Sequence, residues 1–196
     1  MIGVFFAPSP RKKRIFANDI YTINLLKIHT MGKSAVDILK EAILMERKGK
    51  AFYTTVARQT QSEATKRIFE MIAAEEDEHI AYLSKQFAYY DKNKEFSSQD
   101  FGQNVDNSAV MEILTEDIKK QVNAASYEAA AISAAMDFET QSIKVYSDRA
   151  EAATDPHEKE MYQMLAEWEK GHHYWLHKID EDLREQIWYD NNFWPF

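Results

Sequence analysis

The pattern that decides the fold of this chain is AAEEDEH at residues 73–79, which returns as AEWEKGH at residues 166–172. Both copies contain Glu-x-x-His, and the copies lie 93 residues apart. The same offset pairs residues elsewhere in the two halves: Glu46 with Glu139, Tyr53 with Tyr146, Ala57 with Ala150, Met71 with Met164 and Leu83 with Leu176. The second half of the chain is therefore a copy of the first.

The polar residues that match best across this repeat are four carboxylates and two imidazoles. A Glu and a His three residues apart lie on one face of a helix, so both can approach the same ion. Two such motifs, with one Glu from each of two further helices, form the ligand set of a two-metal site in a four-helix bundle. The sequence predicts six metal ligands: Glu46, Glu76, His79, Glu139, Glu169 and His172.

We expect the first three of these ligands to serve one ion and the last three the other, with Glu76 and Glu169 as bridges. Four carboxylates inside a protein need compensating positive charge, and two divalent cations supply it. Carboxylates with one imidazole per ion suit iron, with manganese as the alternative, better than thiophilic metals. The predicted cofactor is a pair of iron ions.

Two tyrosines lie on the same helical stripes as the single glutamates. Tyr53 and Tyr146 are predicted to donate hydrogen bonds to carboxylates of the site from outside the ligand set. Gly49 and Ser142 lie between each Glu and its Tyr. Because both side chains are small, we expect them to leave room near the metals for solvent or a small oxidant.

Four segments alternate apolar spacings of three and four residues, which is typical of bundle helices. They predict helices over residues 35–59, 63–90, 126–152 and 156–184, with capping residues Ser34, Ser62 and Asp155. Short loops join the first pair and the last pair, whereas about 35 residues join the two hairpins, as in bundles with one long crossover. A short helix is predicted near residues 110–118 within that crossover. The predicted fold class is all-α, a ferritin-like four-helix bundle of two repeated hairpins.

The repeat also predicts the domain organisation. Residues 1–33 have no counterpart in the second half and are expected to form an N-terminal tail outside the fold. Residues 34–186 form the bundle. Residues 187–196 form an aromatic C-terminal tail, IWYDNNFWPF. Exposed apolar surface of this density usually marks a contact surface, so we expect a homodimer.

Composition excludes several classes of function. Only 5 Gly and 4 Pro occur in 196 residues, which favours helix. Cys is absent, so disulfides, zinc-thiolate sites and iron–sulfur centres cannot form. A net charge of −8 argues against nucleic-acid binding. No apolar run has the length of a membrane span, and the N-terminal residues do not match a signal peptide, so a cytoplasmic protein is expected.

At these motifs the chain resembles the rubrerythrin-like branch of the ferritin superfamily. The resemblance rests on residues 42–46, on Phe52 and Tyr53, on residues 73–79 and on the second-half copies of these residues. It covers roughly residues 35–185. It implies a non-haem di-iron oxidoreductase of oxidative-stress metabolism that reduces hydrogen peroxide or dioxygen, with no catalytic residues beyond the metal ligands.

The chain departs from that family in two respects. Rubrerythrins proper carry a Cys-ligated rubredoxin domain, and because this chain has no Cys, an external electron donor protein is expected. They also carry an extra carboxylate where this chain has Ser142, so we expect a nearly symmetric site. The alternatives are an iron-binding or iron-buffering protein without turnover, a manganese catalase, and a purely structural bundle. His173 and His177 form a rival ligand pair without counterparts in the repeat, which favours a surface or interface role.

Overall fold

The computed structural model describes residues 33–98, 108–122 and 126–190. Within these residues all regular structure is helical, and the helices are α1 (Ala35–Gln59), α2 (Glu63–Asn93), α3 (Ser108–Gln121), α4 (Tyr127–Ala152) and α5 (Pro156–Asp190). The predicted all-α class is confirmed. None of the described helices is both long enough and apolar enough to cross a membrane.

The chain divides into two compact units, residues 1–38 and residues 39–196. Of the first unit, the described residues are the cap and the first turn of α1, where Ser34 Oγ accepts a hydrogen bond of 3.2 Å from the Asp37 backbone N–H. The other helices belong to the second unit. The predicted N-terminal tail, apart from Lys33 and the cap itself, and residues 191–196 of the predicted aromatic tail lie outside the described residues.

The helices begin where the capping residues predict. Ser62 accepts a hydrogen bond from the Thr65 backbone N–H. Ser126, predicted as the first residue of its helix, is instead the N-cap and accepts a hydrogen bond from the Ala129 backbone N–H. Asp155 Oδ1 accepts from the backbone N–H groups of residues 157 and 158 at 2.8 and 3.3 Å. These side chains satisfy N–H groups that have no partner within their own helix.

The C-terminal helix is longer than predicted. It ends at Asp190 rather than near Arg184, so the predicted tail begins inside α5. The apolar stripe continues through the buried Leu183, and no Pro or Gly occurs between Arg184 and Asp190 to interrupt the helix.

The long helices α1, α2, α4 and α5 form the four-helix bundle. The matched pairs Leu39 and Ile132, and Ala42 and Ala135, are buried on the inward faces of α1 and α4. The aromatic layer repeats as well. The Tyr53 ring lies 5.9 Å from Phe69, and the repeat equivalents Tyr146 and Tyr162 lie 6.0 Å apart. The residues that repeat in the sequence therefore also pack in the same way in the two halves.

The crossover contains the predicted short helix, α3, which is 14 residues long. Its apolar face packs into the core beside residues of α1, α2 and α5 through Met111, Leu114 and Ile118. Lys119 of α3 forms an ion pair of 2.9 Å with Asp182 of α5. The C-terminal end of α3 lies near the loop between α1 and α2, where Ser62 Oγ donates to Gln121 Oε1 at 3.1 Å.

Gly49 provides space for an aromatic ring. A Cβ atom on Gly49 would lie 2.8 Å from Phe138 Cε1 and 3.1 Å from Phe138 Cζ. The expectation that Gly49 leaves room for solvent or an oxidant is therefore wrong, because Phe138 of α4 occupies that side of the helix. Gly171 of α5 differs, since a Cβ there would meet nothing within 4 Å.

These two glycines give a matched pair of substitutions. Gly49→Ala should lower the free energy of unfolding of the metal-free protein by up to about 2 kcal/mol, because overpacking costs roughly 1–3 kcal/mol and the better helix propensity of Ala offsets about 1. Gly171→Ala should raise it by up to about 1 kcal/mol. Urea unfolding followed by circular dichroism measures both, and equal stabilisation by both substitutions would contradict the packing of Phe138 on Gly49.

Candidate metal centre

The six predicted ligand residues come together inside the bundle. Glu46 lies on α1, Glu139 on α4, and the two Glu-x-x-His motifs on α2 and α5. The four carboxylates are at most 1% exposed, and the two imidazoles at most 4%. The spacing predicted this convergence, because each of these residues replaces an apolar residue on an inward stripe.

The donor atoms form two overlapping groups, each with all its atoms within 4.8 Å of one another. The first group is Glu46, Glu76, His79 and Glu169, and the second is Glu76, Glu139, Glu169 and His172. Glu76 and Glu169 belong to both groups. The arrangement has the form expected of a site in which these two carboxylates bridge two ions.

Hydrogen bonding within the cluster is incomplete. Seven buried donor or acceptor atoms of the cluster have no hydrogen-bond partner among the described residues: Oε1 and Oε2 of Glu76, Oε1 and Oε2 of Glu169, Oε2 of Glu139, Nδ1 of His79 and Nδ1 of His172. A buried polar atom without a partner costs about 1–3 kcal/mol. Cations between these atoms would satisfy all of them, so the donor set fits a metal centre.

Two tyrosines hold Glu139 and Glu46 across the repeat. Tyr53 of α1 donates to Glu139 Oε1 of α4, and Tyr146 of α4 donates to Glu46 Oε1 of α1. Burial and the charge of Glu139 raise the pKa of Tyr53 far above its ordinary value, so its hydroxyl stays a donor. Each tyrosine occupies one oxygen of its carboxylate and leaves the other available to the cluster.

The crowding of charges shifts the pKa values of the metal-free cluster. Burial raises the pKa of Glu76 well above its ordinary value and that of Glu139 to about 8. Burial also acts to raise the pKa of Glu169, but the imidazoles of His172 and His79 outweigh it and hold that pKa far below its usual range. The metal-free site therefore combines protonated and ionised carboxyl groups.

Both imidazoles favour protonation in the absence of metal. Burial lowers the pKa of His79, but the carboxylates of Glu169 and Glu46 outweigh it and raise that pKa well above the ordinary value. His172 behaves in the same way, with Glu139 and Glu169 as the dominant partners. A cation entering the cluster would replace protons on these groups.

The neighbours of the two imidazoles break the symmetry expected from the sequence. His172 Nε2 lies 2.6 Å from Glu75 Oε2, whereas the His79 ring stacks on Trp168 with centroids 4.8 Å apart. Glu75 and Trp168 occupy the same position in the repeat. The motifs did not predict either residue as part of the site, although each directly precedes the Glu of a Glu-x-x-His motif, which is the signal that could have revealed them.

The rival histidine pair lies outside the cluster. The rings of His173 and His177 stack 6.0 Å apart on α5, and His177 Nδ1 lies 3.4 Å from Glu181. His177 is exposed. Neither residue belongs to either group of donor atoms found among the described residues.

The fold and the buried cluster define a ferritin-like helical protein with a carboxylate and histidine site suited to metal. A family model described as Rubrerythrin matches residues 37–180, and the chain belongs to that family. The match includes all six cluster residues and both tyrosines. No curated protein and no solved structure matches the chain.

Removal of a shared carboxylate should abolish binding of at least one metal ion. Glu76→Ala or Glu169→Ala takes a donor from both groups, whereas His177→Ala takes none and serves as the control. Metal content after anaerobic loading with Fe(II) and gel filtration measures the effect. Full two-metal occupancy in Glu76→Ala would refute the ligand assignment.

Metal binding should release protons, and the apparent affinity should rise with pH. The raised pKa values of Glu76, Glu139, His79 and His172 mean that the metal-free site carries protons at neutral pH. We expect the logarithm of the association constant to increase by about one or more per pH unit near pH 7. Calorimetry in buffers of different ionisation enthalpy counts the protons released, and a count of zero would contradict the expected protonation.

Proposed function

We propose that this protein is a non-haem di-iron oxidoreductase that reduces hydrogen peroxide or dioxygen with electrons from a separate donor protein. The observation that carries the proposal is the sharing of Glu76 and Glu169 between two buried groups of donor atoms. Membership of the rubrerythrin family supports the same conclusion.

Charge supports two divalent ions rather than one. Four ionised carboxylates in a buried site carry four negative charges, and two divalent cations neutralise them. A single cation would leave two buried negative charges, which would have to be removed by protonation. Two ions would also use the unpaired atoms of both groups.

The donor types favour iron, with manganese as the alternative. Carboxylate oxygens are hard ligands, one imidazole per ion adds a nitrogen, and the site contains no thiolate to select soft metals. When bound, two Fe(II) ions would supply one electron each, which with two protons reduce one hydrogen peroxide molecule to two water molecules.

The protein side chains keep the site ordered and dry. Tyr53 and Tyr146 orient Glu139 and Glu46 by hydrogen bonds, so each carboxylate directs its other oxygen to the cluster. Phe138 packs against Gly49 beside the shared Glu76. A buried environment strengthens electrostatic interactions and limits access to small molecules, which suits an oxidant the size of peroxide or dioxygen.

Repeated turnover would require electrons from outside the chain. The sequence has no Cys, so it cannot hold the iron–thiolate centre that refills the site in rubrerythrins proper. We therefore propose an external one-electron carrier protein as the partner.

Stopped-flow mixing of anaerobic, iron-loaded protein with hydrogen peroxide, and separately with dioxygen, tests the reaction. We expect the near-ultraviolet absorbance of Fe(III) to appear within minutes with at least one of these oxidants. Without an added donor, we expect one oxidation event and no further consumption of oxidant. Glu169→Ala, which lacks a shared ligand, is the control and should show little or no such reaction.

Stopped-flow oxidation, together with the metal content of the purified protein and an assay of dioxygen evolution, separates the alternative functions. If the iron-loaded protein binds two ions but neither oxidant reacts within minutes, the oxidoreductase proposal fails and an iron-binding or iron-buffering protein takes its place. If the protein purifies with manganese and evolves dioxygen from peroxide without a donor, it is a manganese catalase.

A further inference from the structure

Glu75 and Trp168 are equivalent residues of the two halves that make different contacts with the two imidazoles. Each directly precedes a Glu of a Glu-x-x-His motif, and each contacts the His of the opposite half. Glu75 of α2 places a carboxylate oxygen against the His172 ring nitrogen. Trp168 of α5 places an indole ring against the face of His79. The repeat therefore supports its two histidines by different physical interactions.

The contact of Glu75 determines how His172 faces the cluster. His172 Nδ1 lies 3.5 Å from Glu169 and 3.6 Å from Glu139, while Nε2 on the far side of the ring lies 2.6 Å from Glu75. A carboxylate that accepts the N–H of a metal-binding imidazole fixes its tautomer and orientation, and makes it a more basic ligand. Once a cation replaces the proton on Nδ1, Glu75 would keep the remaining proton on Nε2 and hold Nδ1 directed to the cluster.

The contact of Trp168 orders His79 by packing instead. The two rings are 13° from parallel, and the Trp168 ring in turn meets Tyr82 edge-on at 5.8 Å. His79 Nδ1 faces the cluster, at 3.1 Å from Glu169 and 3.5 Å from Glu46. Stacking restricts the ring plane, but an indole ring carries no negative charge that would strengthen the imidazole as a ligand.

We propose that Glu75 is a positioning residue that makes the two halves of the metal site inequivalent, so that the half containing Glu139 and His172 binds its ion more tightly. The proposal rests on the proposed metal binding and adds an order of filling to it. Loss of a carboxylate partner of a metal-binding His typically costs about 10–100-fold in affinity. The tighter half should fill first.

Anaerobic calorimetric titration of the metal-free protein with Fe(II) tests the proposal. For the wild type we expect two resolved dissociation constants. Glu75→Gln keeps the size of the side chain and removes its charge, so it should raise the smaller constant by about 10–100-fold and leave the larger one unchanged. Glu78→Gln is the matched control, because Glu78 is exposed on the same helix, and it should change neither constant.

Variants that lack one of the two histidines show which half of the site Glu75 affects. With His79→Ala, the remaining site depends on His172, and the further change Glu75→Gln should weaken it by about 10–100-fold. With His172→Ala, the same change should have no effect on the remaining site. Equal weakening in both backgrounds, or no weakening by Glu75→Gln in the wild type, would overturn the proposal.

Nuclear magnetic resonance of the Co(II)-loaded protein supplies a readout that a general loss of stability would not change. The Nε2 proton of His172 should appear as a hyperfine-shifted resonance that exchanges slowly with solvent. It should exchange rapidly in Glu75→Ala and slowly in Glu78→Gln. Slow exchange in Glu75→Ala would count against the proposal. If the wild type binds no metal, the proposed function itself fails. If the wild type binds two metal ions and Glu75→Gln leaves both dissociation constants unchanged, only this inference is refuted.

Discussion

The structure depends on the burial of four carboxylates among four helices. Glu46, Glu76, Glu139 and Glu169 lie where a bundle of this length would otherwise place apolar side chains. Ionised carboxylates are expensive to remove from water, and several together repel one another. The bundle can accommodate them only with protons or cations among them. The raised pKa values of Glu76 and Glu139 are consistent with protons in the cluster, and the two groups of donor atoms could hold cations.

Hydrogen bonds across the repeat connect this cluster to the fold. Each tyrosine donates to a carboxylate of the other half, so the pairs Tyr53 with Glu139 and Tyr146 with Glu46 join α1 to α4 twice. The imidazole contacts join α2 to α5 in the same reciprocal way. The residues that complete the site are therefore also the residues that hold the two hairpins together.

Three features limit the symmetry of the duplication. Phe138 packs against Gly49, while the equivalent of Phe138 in the first half is Met45 and that of Gly49 in the second is Ser142. Among the described residues, the helix α3 of the crossover has no counterpart in the other half, and its apolar face adds to the core. The third feature is the pair Glu75 and Trp168. After a duplication, the residues that contact the ligands can diverge while the ligands themselves are kept, because these neighbouring residues affect the site only through the ligands.

The sequence by itself determined the helices, their caps, the inward stripes and the six residues of the cluster. It could do so because helical periodicity and the offset of 93 residues are local or internal properties of the chain, readable without knowing how the helices pack. Only the tertiary structure decided which half each tyrosine serves, that Phe138 occupies the space beside Gly49, and that Glu75 and Trp168 contact opposite imidazoles. These contacts join residues about 90 positions apart on different helices, and they depend on the rotation and axial offset of packed helices, which periodicity leaves open.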